Sequence, residues 1–223
     1  MAKRKSISSK KRETGMTKSE QAHNFIKVVV KGYMISDLKR MMGLEPVPNA
    51  PGNCNFPIAL FALSCMDFLG YLTTPQKLDS NGDTTERIKA YIDMTFKDED
   101  KTKLAPHMNN LVNIFRHGLS HEFFPKMSGI SRKCSDVFWL SQEGYLILDA
   151  DRIAEMFERS IEKLEDLIKS ETRAVIFVER YEEKQEYNQK FRVFPNPMFT
   201  SPTGLQSMAT VSMENMSNIK KLE

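Results

Sequence analysis

The sequence predicts an all-α fold: a helical bundle of four to six helices with one small β-hairpin insertion. Three observations predict it. Apolar residues recur at helical spacing over residues 25–41, 88–96, 104–119 and 153–168. A further stretch, residues 56–70, is apolar on nearly every side, as the central helix of a bundle must be. One pair of short runs, 137–140 and 145–148, has the composition of strands, and Ser141-Gln142-Glu143-Gly144 joins them as a turn.

The first helix opens at Thr17-Lys18-Ser19-Glu20, a capping box in which Thr17 accepts from a free backbone N–H and Glu20 reaches back. Phe25, Ile26, Val29, Val30, Tyr33, Met34, Leu38 and Met41 give it one apolar face, and Gly43 is its stop. Residues 45–52 hold three prolines and a glycine and are expected to be a loop. Pro57 suits the first turn of the apolar helix. Residues 79–82 are expected to turn, and Asp83 with Glu86 is a second candidate cap, before a short helix with Ile88, Tyr91, Ile92 and Phe96. The charged run 97–103 is expected to be a loop. A fourth helix is expected over 104–123, with Leu104, Met108, Leu111, Val112, Phe115 and Leu119 on one face, ended by Pro125 and Gly129. After the hairpin, Asp149 or Asp151 caps a helix carrying Ile153, Met156, Phe157, Ile161, Leu164, Leu167 and Ile168. Residues 174–192 are expected to continue as helix.

A chain of 223 residues and 25.7 kDa fits one domain with tails. The expected division is a basic, disordered tail over 1–15, a single helical domain over 16–193 and an irregular tail over 194–223. Lys3, Arg4, Lys5, Lys10, Lys11 and Arg12 would let the first tail act as an electrostatic arm, or leave it simply solvated. Charged residues at 27% and hydrophobic residues at 40% match a soluble globular chain. The net charge of +3 is too small to announce nucleic-acid binding by itself. Three cysteines without a C-x-x-C pair argue against a disulfide framework and a zinc finger. The first residues lack the apolar core of a signal peptide. The apolar helix is interrupted by Pro57, Asp67 and Gly70 and falls short of the roughly 20 apolar residues of a membrane span. The expectation is a cytoplasmic protein with no membrane partner.

The chemistry concentrates on the fourth helix. Two of the four histidines lie in one segment of it, Asn113-Ile114-Phe115-Arg116-His117-Gly118-Leu119-Ser120-His121-Glu122. Asn113, His117 and His121 follow at four-residue steps along one face, with Arg116 and Ser120 beside them. Arg116 and His121 are five residues apart, which on an α-helix separates them by roughly 140°. Arginine offers a planar fork of donors to a phosphate. Histidine takes and returns a proton near neutral pH. Together they form a minimal kit for cleaving RNA, with the ribose 2′-hydroxyl as nucleophile and arginine stabilising the phosphate oxygens. The residues alone leave two readings open, this site and a hydrogen-bonded or solvated polar face. His117 and His121 have zinc-like spacing, but no third ligand follows at the expected position, so no metal and no cofactor is expected.

The segment 115–121 resembles the R-x4-6-H motif of the HEPN superfamily (higher eukaryotes and prokaryotes nucleotide-binding domain), with Arg116, a polar His117, a four-residue spacer and His121. An asparagine is more usual where His117 stands. The resemblance implies a late helix of an α-helical bundle, metal-independent endoribonuclease activity with Arg116 and His121 as catalytic residues, and a homodimer whose two motifs face each other. His117, Asn113 and Ser120 would be accessory. The partners it implies are RNA or a nucleotide. Other members are inactive, so the alternative is a non-catalytic nucleotide-binding or protein-interaction module, with a protein partner or inhibitor. Elsewhere, Arg132-Lys133 offers either phosphate binding or plain solvation, and Phe138 and Trp139 suit core or dimer contacts better than a base-stacking platform. No Gly-rich phosphate loop and no G-x-S-x-G elbow is present.

Overall fold

The computed structural model describes residues 15–45, 53–74 and 84–189. The expected tail at 1–14, most of the proline-rich loop, the turn at 79–82, Asp83 and the C-terminal tail lie outside the described residues. The chain divides into a unit over Met1–Gln185 and a second over Glu186–Glu223, of which only residues 186–189 are described.

Among the described residues, six helices carry the fold. Helix α1 covers residues 18–42 as three continuous pieces, Lys18–Phe25, a wider π-wound Ile26–Ile35, and Ser36–Met42. Its capping box forms as expected: Thr17 Oγ1 accepts from the Glu20 N–H at 3.2 Å, and the Glu20 carboxylate accepts from the Thr17 N–H at 2.7 Å. Donation from the Thr17 N–H and from the Thr17 hydroxyl holds the Glu20 carboxyl below the usual carboxylate range. Helix α2, Asn55–Thr73, buries Ile58, Ala59, Ala62, Leu63, Met66, Leu69 and Leu72. By length and composition α2 is apolar enough to cross a membrane, yet its sides are covered by α1, by α3 (Thr84–Thr95) and by α5 (Ala150–Ile168). Tyr91 of α3 is fully buried there, its hydroxyl bonded to Ser160 of α5 at 2.8 Å. Helix α6, Glu171–Gln189, bears out the helical expectation over 174–189, residues 190–192 lying outside the described residues, and packs Phe177 and Tyr181 edge-on against Phe25.

Helix α4 covers residues 98–122 and corrects one expectation. The run 97–103 is not a loop, because Asp98–Leu104 is already helical. Asp98, Glu99 and Asp100 stand in its first turn and Lys101 and Lys103 in its last, the order that suits the helix dipole. Asp100 is buried and accepts from Arg159 of α5 at 3.0 Å. A 3-10 turn at Ala105–His107 accommodates Pro106 before the helix resumes.

The β insertion has three strands rather than two. The expected hairpin is present as β2 (Phe138–Leu140) antiparallel to β3 (Leu146–Asp149), and β1 (Gly129–Ser131) adds in parallel on the far side of β3, giving the order β1-β3-β2. Of the two candidate caps of α5, Asp149 does the capping, accepting from the Arg152 N–H at 2.9 Å. Asp151 instead pairs with Arg132 at 3.0 Å. Arg132 is neither a solvated residue nor a free phosphate ligand, its side chain being 4% exposed. It donates to the carbonyls of Met42, Leu44 and Asn53, clamping the end of α1 and the start of α2 to the sheet.

Candidate active site at the end of the fourth helix

The site begins with a lone acid in an apolar helix. Asp67 sits on α2, 13% exposed in its side chain, where an unpaired carboxylate is costly. One turn on, at Gly70, a Cβ would lie 2.1 Å from the carbonyl oxygen of Arg87. The missing side chain therefore lets α3 cross α2 in backbone contact. That crossing delivers Arg87, whose Nε donates to Asp67 Oδ1 at 2.5 Å. From the other side Arg116 Nη2 of α4 reaches Asp67 Oδ2 at 3.4 Å. Two guanidiniums thus share one carboxylate, and the trio retains one positive charge.

The winding of α4 changes where its side chains point. Leu111–Arg116 and Gly118–Glu122 are π-wound, and the His117 N–H donates to Val112 O, an i→i−5 bond. A π ladder joins residues five apart. The offset of Arg116 and His121, roughly 140° on an α-helix, is smaller in such a winding. Arg116 Nη1 donates to Ser120 Oγ, and Ser120 Oγ donates to the Arg116 carbonyl at 2.6 Å. The rings of His117 and His121 stack, with centroids 5.8 Å apart and planes inclined by 21°. His121 and Ser120 are exposed, and His117 and Arg116 are half-buried. Asn113 is exposed, on the same helix face a turn earlier. Arg116 Nε is buried with no hydrogen-bond partner.

The chain leaves the helix abruptly. Phe123 takes a left-handed conformation with φ of 64°, and the backbone folds back across the helix. At Gly118 a Cβ would stand 2.7 Å from the Phe124 carbonyl oxygen and 3.2 Å from Pro125 Cα. The glycine inside the motif is therefore the seat of the returning loop. No family model matches the chain, and neither a curated protein nor a solved structure matches it.

What this arrangement offers chemically is a fork of donors held from behind and two imidazoles in front. Asp67 and Ser120 fix the guanidinium of Arg116, so a phosphate would meet a preorganised donor set. The paired imidazoles provide a proton acceptor and a donor in one place. Among the described residues no three His, Cys, Asp or Glu side chains gather so as to hold a metal ion. Cys65, two residues before Asp67, is no nucleophile at neutral pH, since burial pushes its thiol up to about 12. A separate cleft of about 360 Å³ lies among Glu99, Asp100, Lys103, Asp136, Arg152 and Glu155, and its walls include neither Arg116 nor the histidines. Both arginines of its lining are committed, Arg152 to Glu155 at 2.9 Å and Arg159 to Asp100 at 3.0 Å.

Of the five residues expected from the sequence, the structure pairs Arg116 with Ser120 and, separately, stacks His117 on His121. It adds Arg87, and it gives Asp67 and Gly70, which in the sequence only interrupt an apolar helix, a place in the site. Their signal was available in part: an acid and a glycine one turn apart in an apolar helix mark a face where another helix comes close and brings a charge.

Proposed function

We propose that this chain is a HEPN-like, metal-independent endoribonuclease that cleaves RNA through attack of the ribose 2′-hydroxyl. The observation that carries the reading is the Asp67–Arg116–Ser120 arrangement beside the exposed His117–His121 stack. His121, the outermost group, removes the 2′-hydroxyl proton. The 2′-oxygen attacks the adjacent phosphorus, Arg116 stabilises charge on the non-bridging oxygens, and the bond to the 5′-oxygen breaks. That oxygen takes a proton from the second imidazole, supplied by His117 or by the partner motif of a homodimer. The products carry a 2′,3′-cyclic phosphate and a 5′-hydroxyl. A homodimer that brings two α4 ends together belongs to the same proposal and is supported by the small number of catalytic groups in one chain. Sedimentation at micromolar protein is expected to give twice the chain mass, and a monomer at all concentrations would refute the dimer.

One observation favours a second reading. Asp67 offsets part of the charge of Arg116 within its own chain, which suits a non-catalytic nucleotide-binding or protein-interaction module. Purified full-length protein incubated with a mixed RNA pool and a chelator separates the two. New fragments ending in 2′,3′-cyclic phosphate are expected. Binding of the pool with no cleavage would support the module and overturn the ribonuclease.

A further inference from the structure

Two phenylalanines stand bare at the edge of the candidate site. Phe123 is 68% and Phe124 61% exposed. They follow His121 within three residues, and their rings meet edge to face at 5.6 Å. Phe56, at the start of α2, supports both from behind at 6.2 and 5.7 Å. Nothing in the fold requires them to face water. The positive φ of Phe123 is one that favours glycine, so the chain accepts backbone strain and a solvated aromatic ring at the same residue. The loop is nonetheless fixed: Pro125 is buried, and the backbone of Phe124 to Lys126 rests on Gly118 of the motif helix. The two rings therefore hold a set position relative to His121.

We propose that Phe123 and Phe124 form a stacking platform for a nucleobase of single-stranded RNA, on the nucleotide next to the phosphate bound at Arg116 and His121. The inference rests on the ribonuclease reading and names how its substrate is held. Aromatic faces bind bases of any sequence, so the platform would favour unpaired RNA over duplex. The charge around it fits a phosphate chain: the Asp67–Arg87–Arg116 trio keeps one positive charge on the helix that leads into the two rings.

The test is fluorescence anisotropy with the full chain and two labelled probes. One is a short single-stranded RNA with 2′-O-methyl riboses, which lacks the attacking hydroxyl. The other is an abasic oligomer of the same length and backbone. The base-bearing probe is expected to bind the native protein more tightly. Phe123→Ala with Phe124→Ala should weaken it by roughly 5- to 150-fold, the range for losing one stacked base. Abasic binding, melting temperature and oligomeric mass should not change, and Phe124→Trp should restore affinity. Equal binding of both probes by the native protein, or no effect of the double variant, would overturn the platform and leave the phosphate site standing. A double variant that falls to half the native mass while its RNA affinity holds would show a protein contact instead. Failure of the native protein to bind either probe would overturn the ribonuclease reading and the platform together.

Discussion

The two ends of the motif in α4 are built on opposite principles. At Arg116 both Nη atoms are held, one by Asp67 of α2, itself bonded to Arg87 of α3, and one by Ser120 a turn on, on a side chain that is 19% exposed. At His121, a single turn later, the ring is exposed and stacks on His117, and the following aromatic rings face solvent. The inner end therefore couples to the stability of the bundle, and the outer end is free to meet a ligand. On the proposed ribonuclease reading, the group that presents fixed charge stands where packing holds it, and the group that exchanges protons stands where solvent reaches it.

This contrast can be broken from the inside outward. The largest effect is expected from Asp67→Ala, which leaves two part-buried guanidiniums facing each other without a counter-charge. Removing one side of such a pair costs about 3–5 kcal/mol when it is buried, and urea unfolding should show a loss near the lower end of that range. An unfolding midpoint equal to that of the native chain would mean that the trio holds nothing together. Next is Gly70→Ala. Its new methyl group meets a backbone oxygen of α3, which cannot swing aside, so a loss of about 1–3 kcal/mol is expected from overpacking. A stabilised variant would contradict the close crossing of α2 and α3. Arg116→Lys keeps a charge for Asp67 but loses the fork shared with Ser120. We expect a loss of about 1 kcal/mol for the missing hydrogen bond, with cleavage falling far more steeply than stability. Cleavage at the native rate would show that the planar fork is unnecessary.

How much of this was legible in the sequence follows from how local each signal is. Thr17 and Glu20 are three residues apart, and their capping box was read directly. The apolar spacing of Leu111, Val112, Phe115 and Leu119 showed a helix, but those positions fit α and π winding equally, so the turn that moves Arg116 toward His121 stayed hidden. Residues 97–103 look like a solvated loop because they are almost all charged, and only the order of acids before lysines betrays a helix. Strand β1 is three residues long and pairs with a strand beyond the hairpin turn, too little for a period-2 pattern. Asp67 read as an interruption of an apolar helix because both of its partners come from other helices. The exposure of Phe123 and Phe124 had no local signature, since a helix ending in aromatic residues more often buries them.

The most direct test of the divided motif is His121→Ala, measured for RNA cleavage in the presence of chelator and for thermal unfolding on the same preparation. His121 is exposed at the outer end of α4, so its removal opens no cavity and should change stability by no more than about 0.5 kcal/mol. Loss of its proton transfer should lower the cleavage rate by roughly 10²–10⁴-fold. That combination, a native melting temperature with cleavage lost, is the predicted result. Native cleavage by His121→Ala, or a large fall in melting temperature, would contradict the assignment of the outer end to chemistry.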